Sequence, residues 1–254
     1  MFEEEQNLPN KNEQSEELLT PAPLHEISIW KRITLFAVGL FGVQLFGLII
    51  SLFAISAPKD AQPAIVNFVT YSVLFAILAG IIVLDIPKLL YKLKNWKHYL
   101  IGLGFGVGII LFDIFYTTIV SSFYTFSVNQ NEQGIRSIVA VYPIASVFIF
   151  GIIGPVCEEL TYRVGLFSAI NKKNKIVAYI VTILVFGFIH FSFKFDDPKK
   201  IIDELVCLPM YLASGFLLTF AYDKFGFPCS TVAHITNNLW SVLGQIILKA
   251  IGGH

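Results

Sequence analysis

Seven stretches of this chain are long and apolar, each close to the length of a membrane crossing, and they decide what it can fold into. They run over about Ile33–Ile55, Ala64–Leu84, Tyr99–Val120, Tyr142–Ala169, Ile176–Phe193, Leu205–Tyr222 and Cys229–Ile251. A bilayer core takes about 20 apolar residues of helix. No backbone N–H or C=O can stay unpaired in hydrocarbon, so each stretch is predicted to be helical. A β-barrel would need short alternating segments, whereas these runs are continuous. The predicted fold class is all-α: a polytopic transmembrane helical bundle of about seven helices, or eight if the long fourth stretch breaks at Gly154-Pro155.

Composition agrees with that reading. Of 254 residues, 55% are hydrophobic and 14% charged. A soluble domain carries about 25% charged residues, so this chain has too few to coat a core of its size, and lipid is expected to cover much of it. The 18 basic and 18 acidic residues cancel, which leaves no basic surface for a nucleic acid. Cys157, Cys207 and Cys229 are too scattered for a disulfide framework and sit in apolar surroundings, where a free thiol behaves as a small hydrophobe.

Two regions are read. Residues 1–28 are acidic and polar with three prolines, a composition expected to stay disordered. They lack the basic and apolar regions of a signal peptide. Residues 29–254 form a single transmembrane helical domain. With the N-terminus placed inside, 12 of the 18 Lys and Arg residues fall on the inner side. That asymmetry predicts a multi-pass protein with a cytoplasmic N-terminus. The loop at Lys194–Lys200 fits it least well, although Asp196 and Asp197 offset its charge. In the third stretch, Gly102, Gly104, Gly106 and Gly108 give two overlapping G-x-x-x-G spacings, read as close helix packing.

The polar residues inside the apolar stretches need a reason, since a charge there costs about 2.5–3.5 kcal/mol on insertion. The fourth stretch holds Glu158-Glu159-Leu-Thr-Tyr-Arg163. Glu159 and Arg163 are spaced i, i+4 and can pair on one helix face. Glu158 points about 100° away without a cation of its own, the condition for a general base or acid. The fifth stretch ends in Phe186-Gly-Phe-Ile-His190, and the seventh begins with His234-Ile-Thr-Asn-Asn238. At about 1.5 Å per residue, Glu158 and His190 lie roughly 22–25 Å from the turn between their helices. His234 and Asn238 lie only roughly 12–18 Å past theirs, so a tilted or broken helix is needed to bring the four together. Each residue alone has a plainer reading: a structural ion pair for Glu159–Arg163, helix contacts for His190, interhelical hydrogen bonding for His234 and Asn238, core packing for Phe186. Asp113 in the third stretch is open between a cavity-lining group and a partner for a neighbouring helix. Together, a free carboxylate, two histidines and an amide suit activation of water and support of an oxyanion.

These three motifs resemble those of the CAAX-protease and bacteriocin-processing (CPBP, or Abi) family of intramembrane proteases, whose pattern is E-E-x-x-x-R, F-x-x-x-H and H-x-x-x-N on separate helices. The resemblance covers about residues 142–243. It implies an intramembrane endopeptidase of a bacterial cell membrane, acting on a membrane-associated peptide or protein. Glu158 would activate the attacking water with His190 assisting, His234 and Asn238 would support the oxyanion, and Glu159 with Arg163 would hold the site in shape. The family has been described both as metalloproteases and as glutamate-dependent without metal. Glu158, His190 and His234 could be the three ligands of a divalent metal such as zinc, but no H-E-x-x-H helix is present, and the metal-free scheme, with no cofactor, is preferred. The competing functions are a non-catalytic immunity or scaffold protein of the same fold and a proton-coupled transporter. The transporter would predict inverted repeats, and none is evident in the sequence.

Overall fold

The computed structural model describes residues 27–90, 96–194 and 197–252. The tail read over residues 1–28 lies outside these apart from Ile27 and Ser28, as do Lys92, Lys94 and Asp196. Eight helices account for most of the described residues, and no strand occurs among them. They are α1 (Ile29–Ala54), α2 (Gln62–Leu90), α3 (Trp96–Ser121), α4 (Gln130–Val141), α5 (Pro143–Asn171), α6 (Lys175–Ile189), α7 (Pro198–Phe225) and α8 (Phe227–Ala250).

All seven predicted stretches fall on helices. Five of these, α1, α2, α3, α5 and α7, are long and apolar enough to cross a membrane. α6 is apolar but shorter, and α8 is long but carries Thr231, His234, Asn237 and Asn238. Large apolar side chains such as Phe41, Leu48, Phe53, Phe115 and Ile180 are exposed on the outside of the bundle, where lipid replaces water as solvent. The chain is an integral membrane protein.

The eighth helix is not a fragment of the fourth stretch. α5 runs unbroken through Gly154-Pro155, so the break that would have made an eighth helix there does not occur. Pro155 has no N–H to give, so the turn before it widens instead of breaking: Ile149–Ile153 is π-helical, and the Gly154 N–H bonds to the Ile149 carbonyl. A second π-helical stretch covers Glu159–Phe167. The additional helix is α4, whose 12 residues span about 18 Å and cannot cross a bilayer. It is amphipathic, with Ile138 and Val139 buried and Asn131, Gln133, Arg136 and Ser137 exposed. A search for long apolar runs passes over such a helix. Its start is marked by an Asn-x-x-Glu cap, Asn129 accepting the Glu132 N–H at 3.0 Å.

One end of the bundle is tied by ion pairs. Asp85 holds Lys31 at 2.5 Å and Lys88 at 3.2 Å, joining α1 to α2. Asp223 holds Lys175 at 2.6 Å, joining α6 to α7. Buried Arg32 donates to the Ser168 carbonyl at 2.8 Å, joining α1 to α5.

α3 and α8 form the most extensive helix pairing among the described elements. Only half of the glycine pattern is used for it. A Cβ on Gly102 would meet the Cys229 carbonyl at 2.7 Å, and one on Gly106 the Ala233 carbonyl at 2.7 Å. Gly104 and Gly108 face open space. Close approach through Gly102 and Gly106 sets the position of α8, the helix that carries His234. At its start, α8 follows α7 through Gly226 alone, whose φ of 88° is in the left-handed region that favours glycine. The three cysteines are buried thiols.

Candidate active site

Glu158 and Glu159 sit where α5 passes from α-helical to π-helical geometry, a distortion frequent at functional sites. The two carboxylates have opposite surroundings. Glu159 is fully buried, with Arg163 Nη1 at 2.9 Å and His234 Nδ1 at 2.9 Å, both on its Oε1. Because a carboxylate only accepts, His234 Nδ1 carries the proton in that bond. This turns His234 Nε2 toward Glu158, 3.7 Å from its Oε2. Glu158 Oε2 has no hydrogen-bond partner among the described residues. The i, i+4 pairing of Glu159 with Arg163 therefore appears as read from the sequence, and Glu158 is the carboxylate without a cation of its own. The depth mismatch expected between Glu158 and His234 is absent. A π turn accommodates more residues for its rise, which brings Glu158 closer to the turn between α5 and α6 than a regular α-helix would.

His190 lies just past the end of α6, at its C-cap, and not within a helix as expected. Its Nδ1 is 2.8 Å from the Phe186 carbonyl, and its ring stacks on Tyr211 with centroids 4.5 Å apart at 12°. Phe186 links the groups. Its ring meets His190 at 4.9 Å and His234 at 5.8 Å, and the Arg163 guanidinium lies 4.4 Å from its centroid. Asn238 donates from Nδ2 to the Phe150 carbonyl at 3.0 Å, on the turn loosened by Pro155. Glu158, His190, His234 and Asn238 all line one cavity of about 840 Å³, whereas Glu159 and Arg163 stand behind its wall.

Three polar residues that the motifs do not contain belong to this site. Buried Asn129 donates to the His190 carbonyl at 3.0 Å and accepts from the Tyr211 hydroxyl at 3.2 Å. Glu204 on α7, also buried, accepts the Gln130 N–H at 2.7 Å and the Ser192 N–H at 3.0 Å. It thus ties the start of α4 and the segment after His190 to one carboxylate. The Asn129 cap could have been found from its Asn-x-x-Glu spacing. Nothing local marks Tyr211 or Glu204, because their partners are distant in sequence.

Comparison with known proteins gives several relatives of similar kind. The UPF0177 protein YvdC of Lactococcus lactis is 26% identical over 173 residues, covering 65% of this chain and 58% of that protein, little more than half its length. The UPF0177 protein YxdF of the same organism is 30% identical over 173 residues, covering 66% of this chain and 89% of that protein. The membrane-embedded CAAX protease MroQ of Staphylococcus aureus is 29% identical over 196 residues, covering 69% of this chain and 72% of that protein. The family model for type II CAAX prenyl endopeptidase Rce1-like proteins matches residues 139–240, a span that contains all three motifs. The chain belongs to the Rce1-like family. No solved structure matches it.

In this Rce1-like chain the three candidate metal ligands, Glu158, His190 and His234, differ in what their side chains already hold. His234 Nδ1 is held by Glu159 and His190 Nδ1 lies against the Phe186 carbonyl, so one ring nitrogen of each remains. Among the described residues, no three His, Cys, Asp or Glu side chains converge as a metal-binding set. Glu158, His190 and His234 thus do not meet as the three-ligand set that a zinc site requires.

Proposed function

We propose that this Rce1-like protein is an intramembrane endopeptidase that hydrolyses a peptide bond with a water activated by Glu158. The observation that carries this reading is the division of labour between adjacent carboxylates. Glu159 is engaged through Oε1 by Arg163 and His234 behind the wall, while Glu158 lines the cavity itself, 3.7 Å from His234 Nε2. In a site of low dielectric such a carboxylate is suited to general base work.

In the proposed reaction Glu158 takes a proton from water as the water oxygen attacks the scissile carbonyl carbon. The C=O electron pair moves to oxygen. Collapse of the tetrahedral intermediate re-forms C=O and breaks the C–N bond, and Glu158 returns the proton to the departing amine. His190, fixed by Tyr211 and the Phe186 carbonyl, orients the water. Asn238 has a second amide N–H for the oxyanion, and His234 as the imidazolium would offer Nε2–H. The substrate class is a membrane-associated peptide or protein segment, which agrees with a cavity among membrane helices. The same reading places the paired ends at Lys31–Asp85 and Lys175–Asp223 on the cytoplasmic side.

The test is the isosteric change Glu158→Gln. Cleavage, read as new peptide ends in membranes from cells with wild type against the variant, should fall by about 10²–10⁴-fold, with thermal stability unchanged. Retained cleavage would remove Glu158 as base. A cellular phenotype that survives Glu158→Ala with His190→Ala would favour a scaffold or immunity role.

A further inference from the structure

We propose that Asp113 is a specificity-determining residue that binds a cationic side chain of the substrate, so that the cavity selects peptides with a Lys or Arg near the cut bond. This rests on the peptidase reading of the cavity. Asp113 lies two helical turns beyond Gly106 on the same face of α3, the face that meets α8. Below, glycines hold the two helices together; at Asp113 that face opens onto the cavity that Glu158 and His234 also line. One Asp113 carboxylate oxygen is sealed from solvent and has no hydrogen-bond partner among the described residues. Glu132 of α4, which also lines this cavity, is already engaged by Arg136 at 3.0 Å and Gln245 at 2.8 Å.

A carboxylate in an apolar helix that is neither paired nor hydrogen-bonded carries a standing cost, which a cation entering the cavity would offset. The charge fits a lysine ammonium or an arginine guanidinium and repels an acidic peptide. Its place also sets a distance. Gly106 is level with Ala233, next to His234, and Asp113 is about 10 Å further along the helix axis. An extended peptide advances about 3.3 Å per residue. The basic residue should therefore stand about three positions from the cut bond.

Binding tests this separately from cleavage. The full chain carrying Glu158→Gln, in detergent micelles, is titrated with two labelled apolar decapeptides that differ only in one central residue, Lys or norleucine. The Lys peptide should bind at least tenfold more tightly. Adding Asp113→Asn should bring the two affinities within twofold, and Asp113→Lys should reverse the preference toward a peptide with a central Glu. Removing a charge from an apolar helix does not endanger folding, so Asp113→Asn is a fair probe. Equal affinities in the Asp113 protein, no binding of either peptide, or a Lys preference that survives Asp113→Asn overturns the assignment. If the Lys preference depends on Asp113 but wild type and Glu158→Gln give the same peptide ends, the cation site stands and the catalytic reading fails.

Discussion

His234 Nδ1 lies 2.9 Å from Glu159 Oε1, and this bond fixes which ring nitrogen faces the cavity. The carboxylate behind the wall thereby orients the imidazole in front of it, much as a carboxylate orients a metal-ligating or catalytic histidine elsewhere. Glu159 is itself held by Arg163, so the chain of dependence runs from Arg163 through Glu159 to His234.

Breaking that chain at Arg163 should be costly. Arg163→Met leaves Glu159 buried without its cation, and loss of one partner of a buried pair costs about 3–5 kcal/mol. The double variant Glu159→Gln with Arg163→Met should recover most of that stability and none of the cleavage. Thermal unfolding in detergent beside a cleavage assay reads both. Recovery of activity along with stability would show that the pair only supports folding.

The glycine pattern gives a matched comparison. Gly106→Val brings a side chain against the Ala233 carbonyl and Thr236, whereas Gly108→Ala projects into open space. The first should lower stability by more than about 2 kcal/mol, as overpacking and displaced backbone do. The second should be neutral or stabilising by up to about 1 kcal/mol. Equal effects at both positions would mean that the stripe is not the contact.

Tyr211 should act on cleavage through His190. Tyr211→Phe keeps the stacked ring and loses one hydrogen bond, worth about 1 kcal/mol of stability. Tyr211→Leu loses the stack and should lower kcat at least tenfold while KM stays within about twofold, since a misplaced group costs rate more than binding. A change confined to KM would place Tyr211 on the substrate instead.

Glu204 ties two segments near the cavity. Glu204→Gln keeps one acceptor oxygen for two N–H donors. Amide exchange at Gln130 and Ser192 should rise at least tenfold, with helix-core exchange unchanged, as measured by hydrogen exchange with mass spectrometry. Unchanged exchange at both amides would mean that the carboxylate does not hold them.

Chelation addresses the metal question. Cleavage should be unaffected by EDTA or o-phenanthroline. Loss that returns on adding back Zn²⁺ would put a metal in the site and require His190 or Glu158 to move.

The sequence made the membrane-spanning helices legible because lipid imposes a single rule, about 20 apolar residues of helix. α4 obeys a different rule, a capped amphipathic turn, and its 12 residues vanish in a hydropathy reading. The pairing of Glu159 with Arg163 was legible because it is local to one helix. The contact of His234 with both glutamates was not, because it joins helices distant in sequence and α5 departs from the regular α-helix on which the depth reading relied. Asn129, Tyr211 and Glu204 act through partners brought near by the fold, and no spacing in the chain announces them.

The single residue between α7 and α8 leaves the site without slack. Gly226 is the whole connection, so α8 cannot slide or turn without dragging α7. One residue inserted there would rotate α8 by about 100° and carry His234 off Glu159. The spacing from Tyr222 to His234 therefore works as a gear setting: the loop between α1 and α2 can vary in length while Glu159 and His234 stay in mesh, but this joint cannot.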